Sequence, residues 1–173
     1  MKTLKPGNDN RRKKLSAEPE TRKVKLTEGS KKARLTAARL AAVQVLYQMW
    51  MGEMDAKTAV KDFMDHRAGF EFDGDVFVPA DADLLEKIVV GSDGRKAEIL
   101  GIITINLEKK AELVEPLLRA ILMAGIYELM AHSDINAGII IADYLNVTNG
   151  FYDGGETKLV NAVLDKVGKA VRV

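Results

Sequence analysis

The sequence predicts an all-helical protein of about seven helices. Two stretches of 15 residues, Ala37 to Met51 (AARLAAVQVLYQMWM) and Leu117 to Ala131 (LLRAILMAGIYELMA), are apolar almost all the way round a helical wheel. Helices of that kind sit inside a bundle rather than on its surface. The segments between and after them repeat apolar residues at three- and four-residue intervals, the signature of helices that bury one face. Cysteine is absent, which removes disulfides and thiolate metal sites from consideration.

The chain opens on a basic arm. Residues 1–39 carry 13 Lys/Arg against 4 Asp/Glu, whereas residues 40–173 carry 13 against 21, so a net charge of +1 conceals a cationic arm on an acidic body. Residues 1–30 hold Pro6, Gly7, Pro19, Gly29 and the bare run Arg11-Arg12-Lys13-Lys14, with few apolar side chains. Such a stretch buries too little surface to offset its ordering entropy, and we read it as disordered when free. Charge asymmetry of this kind fits a nucleic-acid tail and, equally, a solvated tail that keeps a protein soluble. The domain division is therefore 1–30, a disordered basic arm, and 31–173, a helical domain.

The first helix starts after Ser30 or Thr36, either of which can cap it, and ends near Met51 and Gly52. A second runs from about Ala56 to His66 with Ala59, Val60, Phe63 and Met64 inward. His66 follows Asp62 by four residues, a spacing open to a metal, but with no third ligand it reads as an exposed histidine at a helix end. Residues 67–80 form a loop whose alternation also permits a hairpin. Asp73-Gly74-Asp75 within it is better read as a turn than as a fragment of a calcium loop. Asp81 opens a third helix with Leu84, Leu85, Ile88 and Val89 inward, and Gly91-Ser92-Asp93-Gly94 either breaks it or lies inside a longer one. Arg95 to Leu107 reads as helix, although its β-branched content permits a strand. After a hinge over Lys109–Val114, Pro116 suits the first turn of the second greasy helix, where Gly125 lets a neighbour approach closely. Asn136 to Asn149 is a sixth helix. Gly154-Gly155 turns the chain or offers an anion site at the seventh, which starts at Glu156 or Thr157.

Catalytic and cofactor patterns are missing. His66 and His132 have no partner motif, and there is neither a phosphate-cradling glycine loop nor a dinucleotide fingerprint, so no enzyme, no cofactor and no metal are expected. No apolar run reaches the roughly 20 residues of a membrane span, and no secretory signal follows the basic start. A cytoplasmic protein is the simplest expectation.

Particular blocks narrow the reading. Ala38-Arg39-Leu40-Ala41-Ala42-Val43-Gln44-Val45-Leu46-Tyr47-Gln48 is followed by Leu118-Arg119-Ala120-Ile121-Leu122 and Gly125-Ile126-Tyr127-Glu128-Leu129. Ser133-Asp134-Ile135, Phe151-Tyr152-Asp153-Gly154 and Lys158-Leu159-Val160-Asn161-Ala162-Val163-Leu164-Asp165 complete the order. Over roughly residues 31–170 this resembles the bacterial NusB transcription antitermination family. The resemblance implies two small helical bundles packed across each other. It also implies binding of boxA-type single-stranded RNA in ribosomal RNA operon leaders, together with the ribosomal protein NusE, within the RNA polymerase antitermination complex. Some family members form homodimers that hide the RNA face, and nothing in the chain decides that state.

The RNA-binding residues expected on this basis are Lys31, Lys32, Arg34 and Arg39 for phosphates, Tyr47 beside the RNA, and Lys158 and Leu159 at the start of the last helix. Asn161 either bonds a base edge or ties two helices together. Several positions depart from the family's habit. Leu159 stands where phenylalanine is common, Met123 where arginine is, Asn136 where proline is and Ala142 where asparagine is, and the arginine run before the first helix is thin. Two alternatives follow: a NusE-binding module that has lost RNA specificity, and a free relative of the domain attached to some ribosomal RNA methyltransferases.

Overall fold

A computed structural model describes residues 29–66 and 78–172. The basic arm to residue 28 and the loop segment 67–77, including the Asp73-Gly74-Asp75 turn, lie outside the described residues. Among those described there are seven α-helices and no strand: α1 (Lys31–Gly52), α2 (Ala56–His66), α3 (Ala82–Gly94), α4 (Lys96–Leu107), α5 (Pro116–Ala131), α6 (Ala137–Phe151) and α7 (Glu156–Val171). A short 3-10 turn, Ala111–Leu113, occupies the expected hinge.

Local chemistry sets most of the boundaries. Ser30 caps α1 by accepting from the Ala33 N–H, and Asp81 caps α3 by accepting from Leu84. Glu115 does the same for α5 through Leu117 and Leu118, ahead of Pro116 at the first helical position. At its far end α1 closes on Glu53, which takes the left-handed conformation (φ 53°) and returns its N–H to Met49 O. The Gly91–Gly94 stretch stays inside α3, and the break falls one residue later, at Arg95. The strand option for residues 95–107 is not realised.

Two groups of helices meet where α1 lies on α5. α1, α2 and α3 pack together on one side, and α4 to α7 gather around α5 on the other. Both greasy helices are central, α1 burying Ala38, Ala42, Val43 and Leu46, and α5 burying Ile121, Leu122, Met123 and Ile126. Gly125 permits the closest approach in the second group: a Cβ there would fall 2.9 Å from both Cδ atoms of Leu164 on α7. No described helix is long and apolar enough to cross a membrane.

Candidate nucleic-acid interface

The N-terminal half of α1 and the C-terminal half of α6 run side by side with a groove of about 670 Å³ between them. One wall is the stripe Ala33, Thr36, Ala37, Leu40 and Gln44, spaced three and four residues apart on α1. The other is Asn146, Val147, Gly150 and Phe151 on α6. Leu40 and Phe151 are large apolar side chains left 37% and 40% exposed, an expensive way to leave a surface unless something covers it. Ser30 and Lys32, at the start of α1, complete the lining. The site therefore combines apolar walls, the side-chain amides of Gln44 and Asn146, and a cationic rim.

The expected residues fall into three places. Lys31 and Lys32 are exposed on the first turn of α1, at a helix end that carries no acidic residue in its first turn. Arg34 is half-buried there; its carbonyl accepts from the Asp81 N–H at 3.0 Å, and its Nε has no hydrogen-bond partner among the described residues. Tyr47 is exposed and lies three residues beyond Gln44, so it continues the same stripe past the groove. Lys158, Leu159 and Asn161 are not drawn into the groove. They occupy the first turns of α7, which the short loop 152–155 joins to Phe151. Lys158 and Asn161 are exposed, and Leu159 packs half-buried against the core. The Asn161 side chain bonds no other helix among the described residues. At the same helix start a Glu156 carboxylate oxygen lies 2.9 Å from where a Cβ on Gly154 would stand.

Arg39 requires a correction. It is 2% exposed, so it does not stand in a row of phosphate-facing cations. Its guanidinium reaches inward, donating from Nε to Glu128 Oε1 at 2.8 Å, from Nη2 to Glu128 Oε2 at 2.9 Å, and from Nη1 to Asp143 Oδ2 at 2.7 Å. Thr36 Oγ1 donates to the same Asp143 oxygen at 3.1 Å. Tyr144 OH donates to Glu128 Oε1 at 2.8 Å, and His132 Nδ1 lies 3.3 Å from Oε2. Burial works against the charge on Arg39, but the bonds and field of Glu128 outweigh it and hold the guanidinium protonated. Burial likewise pushes the Glu128 carboxyl up, and the bonds from His132 and Arg39 bring it below the usual carboxylate range.

Leu40, Asn146 and Phe151 were not among the expected site residues. A signal existed for two of them: Leu40 lies on one helical stripe with Gln44, and Phe151 directly precedes the glycine-rich loop. The metal reading of His66 gains nothing, because its Nδ1 is spent on its own helix, 3.1 Å from Asp62 O and 3.2 Å from Asp62 Oδ1.

Fold and groove define a class: an all-helical, two-group protein with a cation-rimmed apolar slot between its first and sixth helices. The sequence pattern of the NusB family matches residues 36–169, and the chain belongs to that family. The transcription antitermination protein NusB of Novosphingobium aromaticivorans is 40% identical over 149 residues, covering 85% of this chain and all of the relative. That of Allorhizobium ampelinum is 40% identical over 139 residues, covering 79% and 87%. In fold, a solved structure of antitermination factors NusB and NusE in complex with dsRNA aligns with a TM-score of 0.68 at 22% identity, over 82% of this chain and 99% of that one. NusB of T. maritima aligns at 0.66 and 19%, over 80% and 92%.

Proposed function

We propose that this protein is a cytoplasmic, non-enzymatic antitermination factor. It binds boxA-type single-stranded RNA of ribosomal RNA operon leaders and acts with NusE in the RNA polymerase antitermination complex. The observation that carries this reading is the groove. Unpaired RNA is gripped by stacking its bases on apolar or aromatic surfaces and bonding their edges, while cations follow the phosphates. Phe151 and Leu40 supply the surfaces, Gln44 and Asn146 the edge partners, and Lys31, Lys32 and Arg34 the charge. Tyr47 extends the track along α1. Lys158, Leu159 and Asn161 extend it beyond Phe151, with Asn161, exposed and unengaged, taking the base-edge role.

The test is fluorescence anisotropy with a labelled boxA-type RNA and a scrambled RNA of equal length, each with and without NusE. Preferential binding of the first, tightened by NusE, is expected. Equal weak binding of both RNAs overturns the RNA reading. The second reading, a NusE-binding module without RNA specificity, is favoured by the half-buried Leu159 and by the withdrawal of Arg39 from the surface. It predicts NusE binding together with that same equal, weak RNA response.

A further inference from the structure

We propose that the buried cluster of Arg39, Glu128 and Asp143 is the positioning element of the groove, setting the spacing of α1 against α6 and through it the fit of the RNA. The inference rests on the RNA-binding reading above. The cluster joins the same turns that build the groove walls. Thr36 and Leu40 line the groove on α1, and Arg39, buried on the same stretch of the helix, reaches the same Asp143 oxygen as Thr36. Asn146 and Val147 line it on α6, one turn beyond Asp143. A single oxygen, Asp143 Oδ2, takes both the Arg39 Nη1 bond at 2.7 Å and the hydroxyl of Thr36 at 3.1 Å. A wall residue is thus tied directly to the clamp. The bidentate hold on Glu128 then ties the guanidinium to α5, most of whose side chains are buried in the core.

Stability alone is a poor reason for this arrangement. One guanidinium faces two carboxylates in a dry interior, and apolar replacements of such groups generally fold at least as well. What a fully bonded ionic cluster provides is a single permitted geometry. A slot that must take a planar base needs its walls at one separation, and the supporting residues behind them must hold it. Arg39, Glu128 and Asp143 are positioning residues in this sense and do not touch RNA.

Asp143→Asn and Glu128→Gln each remove one buried negative charge, so long-range attraction of RNA rises equally in both. If the cluster only stabilised the fold, neither would weaken RNA binding by the folded protein. The proposal predicts that Asp143→Asn, which loosens the α1–α6 tie, weakens boxA-type RNA binding roughly tenfold against the electrostatic trend. Glu128→Gln, which loosens the tie to α5, weakens it less whatever it costs in thermal stability. Affinities are measured on the full chain well below each variant's unfolding midpoint, across a salt series, and the log–log slope is expected to stay unchanged. Arg39→Lys keeps the charge but loses the fork, and is expected to follow Asp143→Asn; it replaces that variant should it fail to fold. Unchanged or tighter binding by Asp143→Asn or Arg39→Lys overturns the positioning role alone. So does a loss that merely tracks thermal stability across the set. Failure of the unaltered protein to prefer boxA-type RNA overturns both this inference and the reading beneath it.

Discussion

Replacing Lys31, Lys32 and Arg34 together with alanine tests where the phosphates run. Binding to single-stranded nucleic acid weakens with salt at a log–log slope of about −0.7 for each phosphate neutralised. At physiological salt each such contact is then worth about fourfold in affinity, and three are worth about 50-fold. The triple variant should lose affinity on that scale and flatten the slope by about 2. Lys31 and Lys32 are exposed, and the half-buried Arg34 keeps an unpartnered Nε, so the fold should tolerate the change; circular dichroism checks this. Arg39 is deliberately left out, because its guanidinium is committed to Glu128 and Asp143. The assay is anisotropy of a labelled boxA-type RNA from low to high potassium chloride. An unchanged slope in the variant would refute the assignment of these side chains to phosphates, whatever happened to affinity at any one salt concentration.

The groove wall gives a complementary signature: Phe151→Ala should cost about 1–3 kcal/mol of RNA binding, the worth of one stacked base, with the salt slope untouched. A loss of slope there would mean that the effect is not stacking. Arg39→Ala strands two buried carboxylates and should lower unfolding stability by about 3–5 kcal/mol, read from urea titration; a loss below about 1 kcal/mol, the range of exposed ion pairs, would place the guanidinium in solvent. The folded-state pKa of Glu128 is depressed, because the bonds from His132 and Arg39 outweigh burial. Its contribution is therefore fully present above the unfolded carboxyl value of about 4.3 and disappears as pH falls through the lower folded value. Stability measured from neutral pH downward should fall more steeply in this window for the unaltered protein than for Glu128→Gln, and parallel curves would remove Glu128 from the acid response.

The helix boundaries were legible because their causes are local. Ser30, Asp81 and Pro116 each act within a few residues of themselves, and the structure uses all three as the sequence leads one to expect. The junction of α3 and α4 was not, because its cause is distant. Gly91 and Gly94 argue for a break, yet the helix continues through Gly91 and ends only with Gly94, breaking at Arg95. Gly91 is held against the ring of Tyr127 from α5, where any added Cβ would collide, and Ser92 is fully buried. Tertiary packing here overrides the low helix propensity of glycine, a penalty of about 1 kcal/mol per residue.

The site was legible at its edges and hidden at its centre. The cationic start of α1 and the blocks shared with the NusB family are continuous in sequence, whereas the groove pairs residues more than 100 positions apart. The misreading of Arg39 has the same origin. Lys32 and Arg39 are seven residues apart and so share a helical face, and periodicity alone places both in one row. What separates them is which turn of α1 the neighbouring helices cover. On the first turn Lys32 stays exposed. Two turns on, Glu128 and Asp143 arrive from 89 and 104 residues away, and the same face becomes interior. One stripe of one helix therefore passes from a cationic rim to a buried clamp within two turns. The guanidinium that periodicity places beside Lys32 instead ties α1 to Glu128 on α5 and Asp143 on α6.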